Sequence, residues 1–239
     1  FSPTFQFTTI NQPNYVTELF SPSSGNWDLH NFSVRFIPDG SGSQYHACGY
    51  TVTALPTDPT GGTSLQMGDD TFAQITPSHP VWLCGVSYNS LFVGSNGYLT
   101  FTAGDNTYGE TLAAHFNQPR VSALFDDLNP GAGGTVSWKQ TADRVAVTYL
   151  NVTEYGQQNQ NTFQVELLFN GQIHITWLGI VSIDGIAGLS RGTGVPADFQ
   201  ETDLSTSGGC PGDLNCDGVV NFDDINPFVL ALSDPAGYE

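Results

Sequence analysis

Two Asn-Gly dipeptides set between β-rich arms constrain this chain more than any other feature. Ser90-Leu-Phe-Val-Gly-Ser-Asn-Gly-Tyr-Leu-Thr-Phe places Asn96-Gly97 between two such arms. Phe163-Gln-Val-Glu-Leu-Leu-Phe leads through Asn170-Gly171 into Gln172-Ile-His-Ile-Thr-Trp. Tight hairpin turns need positive φ, which Asn and Gly tolerate, so each dipeptide predicts an antiparallel strand pair. In the arm after Gly171, Ile173, Ile175 and Trp177 share one face while His174 and Thr176 share the other. Arg144 to Val152 adds another alternating run after a turn at Thr141–Asp143. Short apolar runs separated by Gly, Pro, Asn and Thr, with no convincing helix of three turns before Asp223, predict an all-β fold. The expected architecture is an antiparallel, jelly-roll-like β-sandwich.

A length of 239 residues leaves room for one large domain and a small appendage. The stretch Asp203-Leu-Ser-Thr-Ser-Gly-Gly reads as a short flexible linker. This gives a sandwich over residues 1–204, a linker over 205–211 and a small unit over 212–239. Against 23 acids stand only five basic residues, Arg35, Arg120, Lys139, Arg144 and Arg191, for a net charge of −18. Such a surface repels phosphate backbones and anionic membranes, which excludes nucleic-acid binding and membrane insertion as expectations. A divalent cation would relieve part of the repulsion. No apolar run approaches the roughly 18 residues that span a bilayer. Position 1 is not Met, so the chain reads as a processed product that is secreted, extracellular or held at a cell surface.

The small unit carries its own chemistry. From Asp213 as position 1, side-chain oxygens fall at 1, 3, 5, 9 and 12: Asp213, Asn215, Asp217, Asn221 and Asp224. Gly218 takes the sharp-turn position 6, and Val219 at position 7 needs to supply only its carbonyl. Ile225, Phe228, Val229 and Leu232 follow at helical spacing, so an EF-hand-like loop and a short helix are expected, with Ca²⁺ as the cofactor.

This segment, residues 212–239, resembles a dockerin type I repeat, and Asp rather than Glu at position 12 fits that family. Dockerins usually carry two repeats, and one is visible here. The resemblance implies attachment to a protein partner or a cell surface. A second resemblance lies upstream, in Gly68-Asp-Asp-Thr-Phe, Phe92-Val-Gly-Ser-Asn-Gly-Tyr-Leu-Thr-Phe, Leu124-Phe-Asp-Asp-Leu-Asn-Pro, Asn161-Thr-Phe-Gln-Val and Gly185-Ile-Ala-Gly-Leu-Ser. This order of motifs, covering half the chain, is similar to the nidogen-like sandwich domains of secreted bacterial proteins, and it implies adhesion or surface architecture rather than catalysis.

Four cysteines fit an oxidising compartment. Three pairings are open, and the local one, Cys48–Cys84 with Cys210–Cys216, is the expectation. The spacings match no usual zinc pattern. Asp126 and Asp127 sit in Phe-Asp-Asp-Leu-Asn-Pro, flanked by apolar residues, but neighbours on a strand point to opposite faces. The pair alone therefore cannot straddle a glycosidic bond, and a structural role, with a second cation, is the better reading. His30, His46, His79, His115 and His174 show no ligand spacing. No nucleophile elbow or P-loop is present, so no catalytic residue is expected. Among Trp27, Trp82, Trp138 and Trp177, Trp177 belongs to the core and Trp138 is the better candidate for exposure. Asn31-Phe-Ser33 and Asn151-Val-Thr153 are glycosylation sequons.

The function expected is that of a secreted, non-catalytic structural or attachment protein with a calcium-binding dockerin-like unit. The alternative is a polysaccharide-binding module, or a component of a polysaccharide-degrading system, anchored through that repeat. Phe1, Phe5 and Phe7 alternate with polar residues, so residues 1–12 read as an edge or exchanged strand. Such a strand can complete a neighbour's sheet and build a homopolymer or filament.

Overall fold

The structure, a computed structural model, describes residues 16–23, 27–39 and 44–208. A six-stranded sheet runs in the order β1 (Thr17–Phe20), β16 (Gly185–Arg191), β10 (Pro119–Phe125), β9 (Tyr98–Thr100), β8 (Leu91–Gly94) and β5 (Phe72–Ile75). An eight-stranded sheet runs β3 (Tyr45–Thr51), β2 (Phe32–Pro38), β15 (Ile173–Gly179), β14 (Asn161–Leu168), β13 (Arg144–Glu154), β12 (Thr135–Gln140) and β4 (Thr63–Leu65), with β11 (Leu128–Asn129) paired to β13. A hairpin of β6 (Val81–Leu83) and β7 (Val86–Tyr88) stands apart, and α1 (Leu112–Phe116) is the one α-helix among the described residues. The all-β antiparallel sandwich is as expected. Its wiring is not jelly-roll-like: β12 to β15 follow one another as a meander in one sheet, and β8 to β10 do the same in the other. Consecutive hairpins keep strands within a sheet, whereas a jelly roll would pass them back and forth between sheets.

Both Asn-Gly turns form where the sequence places them, between β8 and β9 and between β14 and β15. Gly97 has φ +75°, and a Cβ there would lie 1.7 Å from the Leu124 carbonyl oxygen, so only glycine fits. That close approach is used: the Gly97 carbonyl accepts from the Ala123 and Leu124 amides at 3.0 and 3.2 Å, at the bulge where β10 changes register.

One apolar core lies between the sheets and draws Val34, Phe36, Phe163, Val165 and Trp177 from one and Leu91, Val93, Leu99, Val121 and Leu189 from the other. Two side chains also bond across it. Trp177 Nε1 donates to the Ala123 carbonyl at 2.7 Å, and the Tyr149 hydroxyl donates to the Gly94 carbonyl at 2.6 Å. Both residues are fully buried, and Tyr149 stacks on Phe163 with ring centroids 4.5 Å apart. Each therefore combines the roughly 1.5–3 kcal/mol of burying a large apolar body with a satisfied polar tip.

The polar face of β15 departs from simple alternation. His174 and Thr176 are buried as well, and the segment around Thr57 packs on the polar side chains of the adjacent β14. The Thr57 amide and carbonyl bond the Gln164 side chain at 3.0 and 2.7 Å, and its hydroxyl donates to Glu166 at 2.5 Å. Arg144 supplies the charge that Glu166 needs, at 3.1 Å.

The stretch expected to be a flexible linker is docked in its described part. Leu204 is fully buried, and its amide donates to Glu18 at 2.9 Å. The Thr202 amide bonds the Thr17 carbonyl at 2.9 Å, and the Gly208 carbonyl accepts from the Gly49 amide at 3.2 Å. Residues 202–208 thus run between β1 and β3, the outer strands of the two sheets, and close the seam that the sandwich leaves open.

The expected Cys48–Cys84 bridge is not formed. Cys48 is buried and disulfide-bonded, but Cys84 keeps a free thiol. Cys84 occupies the turn of the β6–β7 hairpin at φ +50°, and its amide donates to the Tyr45 hydroxyl at 3.1 Å. Cys210 and Cys216 lie outside the described residues, as does the segment 1–12.

Candidate metal centre

β10 ends at Phe125, and the two acids that follow it, Asp126 and Asp127, join different groups of carboxylates. Asp126 meets Glu154, the last residue of β13, and Asp184, the residue before β16. Their oxygens lie within 4.8 Å of one another. Asp127 instead joins Asp69 and Asp70 in a second group of the same tightness. The acid pair that the sequence singled out is therefore the join between two acidic triads.

In the first triad Asp126 is buried and Glu154 and Asp184 are half-buried. Asp126 is 6% exposed, accepts from the Asp127 amide at 2.7 Å and lies 2.5 Å from the Ser182 hydroxyl. Asn161 fixes that serine by accepting from its amide at 3.1 Å. Glu154 Oε1 is buried with no hydrogen-bond partner. Burial, reinforced by the negative charge of Glu154 and Asp184, pushes the Asp126 carboxyl up to about 8. Burial raises Asp184 too, with Glu154 adding to it. Glu110 rises for the same reasons, first its burial and then the charges of Asp184, Asp127 and Glu154.

The second triad is more open. Asp69, Asp70 and Asp127, with Tyr108 and Tyr155, line a cleft of about 280 Å³. Tyr108 and Tyr155 are 56% and 58% exposed. Burial raises the Asp127 carboxyl, and the charges of Asp70, Asp69 and Glu154 raise it further.

Asn96 ties the two groups together. Its side-chain amide donates to Asp70 at 2.9 Å and to the Thr107 carbonyl at 3.2 Å, and its side-chain oxygen accepts from the Leu128 amide at 3.0 Å. The turn residue of the hairpin thus positions both acid-bearing loops. No ion pair links either triad to a basic side chain among the described residues; Arg120 is held by Asp105 and Arg144 by Asp143 and Glu166.

Convergent carboxylates without a cationic partner suit a hard divalent ion, which takes six to eight oxygens and tolerates irregular geometry. Glu154 Oε1 has no hydrogen-bond partner and the Asp126 carboxyl is raised, two features that a bound cation would relieve.

The sequence-predicted calcium ligands Asp213, Asn215, Asp217, Val219, Asn221 and Asp224 lie outside the described residues. Of the histidines, His115 is fully buried between Thr17 and Ser122 hydroxyls at 3.2 and 2.9 Å, and burial lowers it to about 3. His174 lies 3.6 Å from Glu166. Trp177 is core as expected, but Trp138 packs half-buried against the core, and Trp82, at 40%, is the exposed tryptophan. Sequence reading missed Glu154, Asp184 and Asn96 as site residues. Asp69-Asp70 and Asp126-Asp127 were visible as doublets, but nothing in their spacing says that they meet.

A third acidic group, Glu18, Asp28 and Asp203, sits at the seam. Burial pushes Glu18 up to about 8, although it accepts from the Leu204 amide.

A family model described as NIDO related matches residues 44–201, a span that holds both triads and the motifs from Gly68 to Ser190. No curated protein and no solved structure matches the chain.

Proposed function

Since this chain belongs to the NIDO-related family, we propose that it is a secreted, non-catalytic β-sandwich that serves extracellular architecture or attachment and depends on Ca²⁺ for its working form. The observation that carries this reading is the Asp126–Glu154–Asp184 corner, where three carboxylates converge, the central one buried, without a basic partner. A cation there stabilises structure rather than turning over a substrate. The C-terminal oxygen register supplies a second place for Ca²⁺, and its dockerin-like character is the route by which the sandwich attaches to a protein partner.

Calorimetric titration of the full chain with Ca²⁺ tests this. At least two binding events are expected, of which Asp217→Ala removes one and Asp126→Asn weakens another. A chain that takes up no Ca²⁺ contradicts the proposal.

A second reading has one observation in its favour: two exposed tyrosines flank three carboxylates around a cleft. Aromatic faces beside hydrogen-bond acceptors suit a sugar, which would make the domain a polysaccharide-binding module. A glycan array decides between the two readings. Binding that Tyr108→Ala and Tyr155→Ala both abolish would favour the sugar.

A further inference from the structure

We infer that the groove where β3, α1 and the end of β16 meet is a binding site for a small organic carboxylate, a sugar acid or hydroxy acid, held by Arg191 and Tyr45. The groove has a volume of about 540 Å³. That volume falls within the range of roughly 300–1,000 Å³ typical of sites that bury a compact ligand. Tyr45 opens β3, Phe116 closes α1, Arg191 ends β16, and Cys84 enters from the turn of the β6–β7 hairpin. Residues 193–197 complete the wall, fixed by the Gly194 amide, which donates to the Phe116 carbonyl at 2.9 Å.

Charge selects the ligand. The chain has 23 acids and five basic residues, yet among the described residues the lining holds Arg191 and no Asp or Glu. Arg191 is exposed, and its guanidinium bonds the Cys84 side chain. That planar fork carries five N–H donors, so it meets several acceptors at once, and a carboxylate matches it in shape and charge. Tyr45 supplies a second donor. It is buried, and its hydroxyl is the acceptor in the bond from the Cys84 amide, so its own proton is left for an acceptor in the groove. Burial holds that hydroxyl well above its ordinary value and raises the Cys84 thiol too, against the pull of Arg191. Both stay neutral at pH 7, so Arg191 sets the sign of the groove.

The remaining lining fits the rest of such a molecule. Gln44 and Thr193 offer hydrogen-bonding side chains, and Leu189 and Val195 offer apolar surface. A sugar acid or hydroxy acid uses all of these: its carboxylate meets Arg191 and Tyr45, its hydroxyls meet Gln44 and Thr193, and its C–H surface meets the aliphatic side chains. A neutral sugar lacks the group that the charge selects. This inference goes beyond the proposed role in attachment and does not depend on Ca²⁺, whose carboxylate sites carry the opposite sign.

Cys84 is a built-in reporter, since it lines the groove with a free thiol. Its alkylation rate in the full chain is read by peptide mass mapping, which resolves it from the other cysteines. D-glucuronate and L-malate are the probes, with D-glucose and sulfate as controls, all in chelator so that no divalent ion carries the acid. At least one of the two acids is expected to slow labelling in a saturable way, and the tighter of them separates a sugar acid from an open-chain hydroxy acid. Calorimetry with that acid is expected to show binding weakened about tenfold by Arg191→Lys, which keeps the charge without the fork, and further by Arg191→Gln. Tyr108→Ala is expected to change nothing. Labelling that neither acid slows would overturn the inference, as would equal protection by glucose or sulfate. Unchanged affinity in Arg191→Gln would also overturn it, and so would a loss in Tyr108→Ala, which would move the acid to the carboxylate-lined cleft.

Discussion

The middle of the sandwich and its acidic end are held by different means. In the middle, Tyr149 and Trp177 are buried apolar bodies whose polar tips reach the opposite sheet's carbonyls at 2.6 and 2.7 Å. Nothing there titrates near neutrality: burial holds the Tyr149 hydroxyl well above its ordinary value, so it remains a donor. At the end, Asp126, Glu154 and Asp184 bring like charges together with one oxygen unpartnered. The first region pairs its polar groups internally, and the second gathers carboxylates that a proton or, in the proposed reading, a cation would relieve. A fold of this kind can have a rigid body whose tightness at one end is set by its surroundings.

The sharpest way to break the contrast is to attack the middle. Trp177→Ala removes a fully buried side chain and orphans the Ala123 carbonyl, so a loss of about 3–5 kcal/mol is expected. Chemical denaturation should show the same loss with chelator and with Ca²⁺. A loss that Ca²⁺ reverses would mean that the two regions are not independent.

The next largest effect concerns pH. The folded-state values of Asp126 and Glu18 are both raised to about 8 from ordinary values of 3.8 and 4.5. A raised carboxyl binds its proton more tightly when folded, so its contribution is fully present below the unfolded value and is lost as pH rises through the folded one. Without divalent ions the protein is therefore expected to be more stable at pH 5 than at pH 8. Asp126→Asn should flatten this dependence and raise stability at pH 8 by about 1–3 kcal/mol. Melting curves in chelator across pH 5–8 measure it; stability that climbs toward pH 8 would contradict the burial assigned to these acids. Below about pH 4 the trend should reverse as Asp105, Asp143 and Glu166, whose carboxyls are held low, take up protons.

Two smaller changes sharpen the comparison. Tyr149→Phe keeps the stack on Phe163 and removes only the bond to Gly94, for an expected cost of about 1 kcal/mol at every pH. Glu18→Gln keeps an acceptor for the Leu204 amide, so a change under about 1 kcal/mol is expected, visible mainly as a gentler slope above pH 7.

What the sequence revealed follows the same division. The hairpins at Asn96-Gly97 and Asn170-Gly171 were legible because turn chemistry is local, and Trp177 was legible because it shares a face with Ile173 and Ile175. The burial of Gln164 and Glu166 was not, since their polar partner is Thr57, far away in a segment without periodicity. The triads were illegible for a related reason: Asp126, Glu154 and Asp184 stand at the ends of different strands and meet only once the sheets close. That Cys48 and Cys84 do not pair was not legible either, because nearness in sequence does not show that the β6–β7 turn sets Cys84 against Tyr45.

The most direct measurement is thermal unfolding of full-length Asp217→Ala at pH 7.5, in chelator and in excess Ca²⁺. With the C-terminal loop disabled, any remaining effect of Ca²⁺ belongs to the sandwich. Ca²⁺ at about 100 times its dissociation constant contributes about 2.7 kcal/mol, which corresponds to a rise of roughly 5–10 °C for a domain of this size. That rise is expected in Asp217→Ala and is expected to vanish when Asp126→Asn and Glu154→Gln are added. A melting temperature of Asp217→Ala that Ca²⁺ leaves unchanged would contradict the cation-dependent corner.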